Sequence, residues 1–143
     1  MAKKSNELIF DEGVKEFNIN GDPNRVIRFN PTDISIIERA QKVKREIGKE
    51  VEKLDSLEIN DDEAMAQAVE QVNKIIKEKI NYIFGSDVSD TVFGLQSPLA
   101  SANGTTLAER FIAAALPVIQ KEIEDENKKS KARVSKYTER YHK

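Results

Sequence analysis

Residues 14–33, VKEFNINGDPNRVIRFNPTD, decide how this chain begins to fold, because they place two strand patterns directly before a helix start. Apolar and polar residues alternate over residues 17–19 and again over residues 27–29, which is the period of a half-buried strand. Between them, residues 21–24 read Gly-Asp-Pro-Asn, a dense turn signal. The stretch therefore predicts an antiparallel β-hairpin.

The apolar residues of this hairpin also predict its register. Pairing Ile19 with Ile27 places both on one face, and a connecting loop of about five residues then joins the strands. Phe17 pairs with Phe29 in the same register. A hairpin alone is only marginally stable, so this face needs cover from a helix or from a neighbouring subunit. The four residues are therefore candidates for self-association.

Three long amphipathic patterns follow the hairpin and predict three main helices. The first begins at residues 30–33, with Asn30 or Thr32 as the cap, and runs to Leu54. The second begins at residues 60–63, and the third begins at residues 105–106, with Glu109 placed for a capping box. The expected apolar stripes are Ile36, Ala40, Val43, Ile47, Val51 and Leu54 in the first helix, Met65, Val69, Val72, Ile76, Ile80 and Ile83 in the second, and Leu107, Phe111, Ala114 or Ala115, Val118, Ile119 and Ile123 in the third.

The segment between the second and third helices changes character. Gly85 is expected to end a helix, Ser86 to cap a short helical turn and Gly94 to end it, with a loop after that. The predicted fold is mainly α: three main helices with a short N-terminal β-hairpin. We expect a flexible N-terminus over 1–13, polar apart from the tripeptide 8–10, a single helical domain over 14–127, and a basic C-terminal tail over 128–143.

Composition excludes most catalytic chemistry. The 143 residues include no Cys, and the single histidine is His142, so disulfides, thiolate ligands and multi-His metal sites are excluded. No carboxylate lies in a visibly apolar context that would suit it to acid–base catalysis. The acids at 61–63 lack the ligand spacing of a calcium loop and are explained as a helix start. We expect no enzymatic activity, no cofactor and no small-molecule substrate.

Charge is unevenly distributed along the chain. Residues 128–143 hold seven Lys or Arg against one acid, Glu139, whereas residues 1–127 hold 16 basic and 24 acidic residues. A basic tail on an acidic body can bind an anionic partner, yet only Tyr137 and Tyr141 supply aromatic groups for stacking, so nucleic acid is the weaker interpretation. The sequence has no apolar run long enough to span a bilayer and no signal-peptide pattern over residues 1–7.

Four features carry a family resemblance over about residues 15–141. They are the hairpin leading into Phe-Asn-Pro-Thr-Asp at 29–33, the long charged helix, two Phe-Gly pairs at 84–85 and 93–94, and a closing run from Leu-Pro-Val-Ile at 116–119 to Val-Ser-Lys-Tyr-Thr at 134–138. On these features the chain resembles the small tail assembly chaperones of tailed bacteriophages and prophages of Gram-positive bacteria.

This resemblance implies a mainly helical protein without enzymatic activity. Such chaperones act in the host bacterial cytoplasm, bind the long helical tape measure protein, self-associate along it and leave as tail tube protein polymerises, so they are absent from the mature virion. A longer frameshifted form is common among them. The candidate partner-binding residues are Phe84, Phe93, Phe111, Lys128, Lys129, Lys131, Arg133, Lys136 and Tyr137, and the candidate self-association residues are Phe17, Ile19, Ile27 and Phe29. The alternatives are a helical nucleic-acid-associated protein that uses the basic tail, and another phage component such as a head–tail connector.

Overall fold

The computed structural model describes residues 5–139, and for residues 132–139 it describes the backbone only. Within this range the mainly α fold is confirmed. The elements in chain order are β1 (Lys15–Ile19), β2 (Asp22–Phe29), α1 (Ile34–Asp55), α2 (Asp62–Phe84), α3 (Ser89–Phe93), β3 (Ser101–Ala102), β4 (Thr105–Thr106) and α4 (Leu107–Glu139). The three long helices α1, α2 and α4 are those that the amphipathic patterns predict.

Helices α1 and α2 form an antiparallel pair. Arg39 Nε on α1 donates to the Ile83 carbonyl at 2.9 Å, and Lys79 on α2 donates to the carboxylate of Glu46. The hydrogen bond from Lys79 lowers the pKa of Glu46 below its ordinary value. Most of the predicted α1 stripe and the C-terminal half of the α2 stripe are buried, namely Ile36, Ala40, Val43, Ile47, Ile76, Ile80 and Ile83. The two helices therefore share one core, formed by the N-terminal part of α1 and the C-terminal half of α2.

The N-terminal cap of α1 corrects the sequence prediction. Asp33 caps the helix and accepts from the Ser35 backbone N–H at 3.1 Å. The Ser35 hydroxyl also donates to this carboxylate, and that hydrogen bond lowers the pKa of Asp33. The side-chain oxygen of Asn30 instead accepts from the backbone N–H of Thr32 at 2.9 Å, which closes a turn before the helix. A cap at Asn30 or Thr32 is wrong because this turn delays helical geometry until Ile34.

The hairpin has the predicted strands with a different register. Phe17 pairs with Ile27, and Ile19 pairs with Asp22. The turn is Asn20-Gly21, with φ angles of 52° and 73°. Two left-handed residues form the tight turn that matches strand twist, so this pair, rather than residues 21–24, reverses the chain. Residues 23–25 of β2 have no paired residue in β1. Pro23 fits this irregularity because proline has no N–H to donate to a strand ladder.

The predicted register was therefore wrong by two residues, but the prediction that the apolar side chains share a face is confirmed. A slip of two residues preserves the face, whereas a slip of one would reverse it. The rings of Phe17 and Phe29 stack with centroids 4.6 Å apart.

Helix α3 begins without the predicted Ser86 cap. The side chain of Asn81, on α2, accepts from the backbone N–H groups of Val88 and Ser89, both at 2.8 Å. Gly85 and Gly94 end α2 and α3 as predicted. The segment after Gly94 was predicted to be loop, but it includes the short hairpin of β3 and β4.

This second hairpin again turns on an Asn-Gly pair. Asn103 and Gly104 have φ angles of 55° and 81°. Thr106 then accepts from the Glu109 N–H at 3.2 Å and donates its hydroxyl proton to the Glu109 carboxylate at 2.8 Å. The predicted capping interaction between Thr106 and Glu109 at the start of α4 is confirmed. Of its two hydrogen bonds, one is donated by the Glu109 N–H and the other by the Thr106 hydroxyl.

Helix α4 packs most of its predicted stripe against the core. Ile119 is buried, and Leu107, Phe111, Ala115 and Ile123 are partly buried against the core. Two further residues, Ala108 and Ile112, are buried as well, whereas Val118 of the predicted stripe is 44% exposed. Periodicity alone does not distinguish the interior edge of an apolar stripe from its exposed edge, and here the exposed edge lines a groove.

Candidate functional site

An open groove of about 620 Å³ lies between the β1–β2 hairpin, the C-terminus of α2, the β3 region and α4. Its walls come from elements that are far apart in the chain, so the groove exists only in the folded protein. Its lining is mostly apolar and comprises Phe17, Asn18, Ile19, Asn20, Ile27, Phe29, Phe84, Val92, Gln96, Ala100, Ser101, Ala102, Leu107, Arg110, Phe111, Ala114, Ala115 and Val118.

A row of aromatic rings runs along this groove. Beyond the Phe17–Phe29 stack, the centroids of Phe29 and Phe84 are 4.8 Å apart, and those of Phe84 and Phe111 are 5.9 Å apart. Tilted rings at such distances attract each other beyond the burial of their area. The structure thus brings two predicted partner-binding residues, Phe84 and Phe111, together with the four predicted self-association residues.

Phe93 does not belong to this row. It is 2% exposed and contacts Phe111 edge-on, with centroids 6.4 Å apart. From the sequence we expect Phe84 to be the core residue and Phe93 the more exposed one, and the structure reverses that order. The reason is tertiary, because β2 and α2 both hold α3 against the core.

The contacts that hold α3 come from both sides. Arg25 on β2 donates through Nε to the Thr91 carbonyl at 3.0 Å and through a second guanidinium nitrogen to the Val92 carbonyl. Asn81 on α2 satisfies the N–H groups at the other end of α3. Phe93 therefore sits at the end of a helix that is fixed at both termini, and its ring points into the interior.

Two polar contacts hold the groove walls in place. Lys15 Nζ on β1 lies 2.7 Å from the Glu122 carboxylate on α4, and this hydrogen bond raises the pKa of Lys15. Arg110 on α4 donates to the Ala102 carbonyl of β3 at 2.8 Å. The hairpin and the β3 region are thus both tied to α4 while the apolar floor between them stays open.

The groove lining carries a single charge. Among the described residues that line it, none is Asp, Glu, His or Cys, and Arg110 is the one charged residue. Within residues 5–139, no group of three or more His, Cys, Asp or Glu could hold a metal ion, and no helix has the length and hydrophobicity to cross a bilayer.

The basic side chains of the predicted tail that the structure describes do not line the groove. Lys128, Lys129 and Lys131 are exposed on α4, which continues without a break to Glu139. The side chains of Arg133, Lys136 and Tyr137 and residues 140–143 lie outside the described residues, as do residues 1–4 of the predicted flexible N-terminus.

Two groups of residues were missed by the sequence analysis as parts of a site. Ala114 and Val118 line the groove although they were assigned to the core stripe, and Arg110 supplies its charge. Their helical spacing is apparent in the sequence, but whether such a stripe lines a groove or the core depends on where the hairpin lies in the folded protein. The exposed tripeptide Leu8-Ile9-Phe10 stands out in the otherwise mostly polar segment 1–13, but its sequence predicts no role for it.

Comparison with known proteins identifies no relative: no protein-family model, curated protein or solved structure matches this chain.

Proposed function

We propose that this protein is a non-enzymatic assembly chaperone that holds an apolar helical segment of its partner in the groove. The observation that supports this function best is the groove lined by the partly buried rings of Phe17, Phe84 and Phe111, with the buried ring of Phe29 between Phe17 and Phe84. A monomeric protein rarely leaves a contiguous apolar surface uncovered unless something binds there. An amphipathic helix can lay its apolar face into such a groove, with anchor side chains three and four residues apart.

The family resemblance supplies the identity of the partner in this proposal. The bound helix belongs to the tape measure protein of a tailed phage, and the chaperone keeps that long helical chain soluble in the host cytoplasm. Tail tube protein replaces the chaperone as the tail grows, so the chaperone does not remain in the virion. The heavily charged surface, with 34% charged residues, keeps the complex in solution because burying those charges in an aggregate would cost their hydration.

The C-terminal part of α4 provides a second contact in this proposal. Ile119 is buried, but the side chains of residues 124–129 are exposed. The backbone from 124 to 139 is helical and about 24 Å long at 1.5 Å per residue. This arm carries Lys128, Lys129 and Lys131 beyond the groove, where they can pair with acidic positions on the polar face of a bound helix.

Co-expression with the tape measure protein tests the function. The groove variant is Ala114→Glu, which places a charged side chain at an exposed lining position of α4. Ala113→Glu is a matched control, because Ala113 is also an exposed alanine on α4 but does not line the groove. We expect the wild type and A113E to keep the tape measure protein soluble and to copurify with it, and A114E to lose both properties.

Two results would contradict the proposal. One is a tape measure protein that stays insoluble with the wild-type chain. The other is equal copurification of A113E and A114E, which would place the contact outside the groove.

A further inference from the structure

The segment Leu8-Ile9-Phe10 is the most exposed large apolar feature of the N-terminal region. The three residues are 92%, 87% and 71% exposed. Three consecutive large hydrophobic side chains in water carry a hydration cost that burial in a partner removes. The folded chain therefore carries an uncovered apolar segment and an uncovered apolar groove at the same time.

The residues after this segment are fixed by hydrogen bonds, one of them to the chain just before α1. Asn30 Nδ2 donates to the Glu12 carbonyl at 2.9 Å, and the Gly13 N–H donates to the Asp11 carboxylate at 2.8 Å. Gly13 has a φ of 74°, and a Cβ there would lie 3.0 Å from Asn30 Nδ2. This close turn fixes the chain directly after the segment, and residues 8–10 are not among the described residues that line the groove.

Charge makes the segment and the groove complementary. Glu7 precedes the tripeptide, and Asp11 and Glu12 follow it. The one charged residue among the described groove-lining residues is Arg110, a cation. An apolar segment with acidic flanks thus matches an apolar groove with a basic group, an arrangement that favours one register of docking over others.

We infer that residues Leu8–Phe10 of one copy dock in the groove of a second copy, reciprocally, in a two-fold dimer. A reciprocal exchange covers both segments and both grooves and closes the assembly, whereas a one-way contact would leave one segment and one groove free to extend it. Where the proposed function also holds, this contact regulates it, because the partner helix must displace the segment from the groove.

Sedimentation equilibrium of the full chain, from low micromolar to submillimolar concentration, tests the contact. The segment variant is Leu8→Asp with Phe10→Asp, and the matched control changes two other exposed leucines, Leu57→Asp with Leu95→Asp. We expect a dimer for the wild type and the control. The segment variant should dimerise at least about tenfold more weakly, the loss typical of removing anchor side chains from an interface.

Mixing two defective variants identifies which surfaces meet. The segment variant keeps an intact groove, and Ala114→Glu keeps an intact segment. Each alone should be mainly monomeric, while an equimolar mixture should form a heterodimer through its one remaining contact. Ala113→Glu serves again as the control and should dimerise like the wild type.

Several results would overturn the inference. They are a wild type that is monomeric throughout the range, a dimer that the segment variant does not weaken, and a mixture that associates no better than its components. Docking of the segment in its own groove would give a monomeric wild type and therefore also counts against it. Failure of tape measure binding with an intact segment-dependent dimer would instead refute the proposed function alone.

Discussion

The two Phe-Gly pairs of this chain are identical in sequence and have different roles in the fold. Phe84 ends α2 and stands half-buried in the groove, whereas Phe93 ends α3 and is buried. Gly85 has φ 67° and ψ 21°, the left-handed cap common after helices. Gly94 has φ 61° and ψ −130°, a conformation largely restricted to glycine. The comparison teaches that a local motif ends a helix, while the surrounding elements decide whether its aromatic ring becomes core or surface.

Truncating Phe93 is the strongest test of this difference. Because Phe93 is a buried aromatic residue, Phe93→Ala should destabilise the free protein by about 3–5 kcal/mol. Denaturant unfolding followed by circular dichroism measures this loss. A cost below about 0.5 kcal/mol, the usual range of surface substitutions, would show that α3 does not hold the ring in the core.

The two glycines give the next largest effects. An added Cβ would meet no atom within 4 Å at either position, so only backbone conformation contributes. Gly94→Ala should cost about 1–3 kcal/mol because its φ/ψ pair is sparsely populated by other residues. Gly85→Ala should cost about 1 kcal/mol, the ordinary penalty of a left-handed cap. The unfolding free energies of the two variants should therefore rank with Gly94→Ala the less stable, and the reverse order would contradict the comparison.

Truncating Phe84 should affect binding more than folding. Its ring loses contacts with Phe29 and Phe111, but it is only partly buried, so Phe84→Ala should cost about 1–2 kcal/mol of stability. Binding of a groove ligand should weaken by about 2 kcal/mol if the ring is an anchor. Calorimetric titration of the tape measure segment measures the second effect. Equal binding by Phe84→Ala and the wild type would remove Phe84 from the site.

The smallest effect is expected at the C-terminus. Among the removed residues whose side chains are described, Lys128, Lys129 and Lys131 are exposed. A chain ending at Asn127 should keep its thermal midpoint within about 2 °C of the wild type, since surface changes are usually worth less than about 0.5 kcal/mol. It should also preserve the stability ranking of the Phe84 and Phe93 variants. A drop of more than about 5 °C would mean that the end of α4 supports the core.

Local sequence patterns predicted much of the fold. The alternation around Phe17 and Phe29 predicted the hairpin and its apolar face, and the stripes predicted three long helices. Glycine positions ended α2 and α3 where expected, because few other residues adopt a left-handed backbone. The same local reasoning failed for the hairpin register, since the Asn20-Gly21 pair was overlooked beside the more conspicuous proline-containing run.

The candidate site depended on distant contacts and was only partly predictable. The hairpin residues and Phe84 and Phe111 are each selected from sequence, but for separate purposes, and only the tertiary fold places the hairpin, the end of α2 and α4 around one groove. Neither the exposure of Val118 nor the burial of Phe93 follows from spacing, because a helical period does not indicate which neighbour covers an apolar face.

By itself, then, the sequence determined the first hairpin and the three long helices, the C-terminal ends of α2 and α3, the apolar face of the hairpin and the absence of cysteine and multi-histidine chemistry. These follow from backbone preferences and side-chain inventories within a few neighbouring residues. Tertiary structure alone decided that one Phe-Gly pair is core and the other lines a groove, and that the stripe of α4 with Ala114 and Val118 remains open. The physical reason is that burial depends on which surfaces meet, and Arg25 of β2 binds the end of α3 across a separation of 66 residues, a contact that no local pattern indicates.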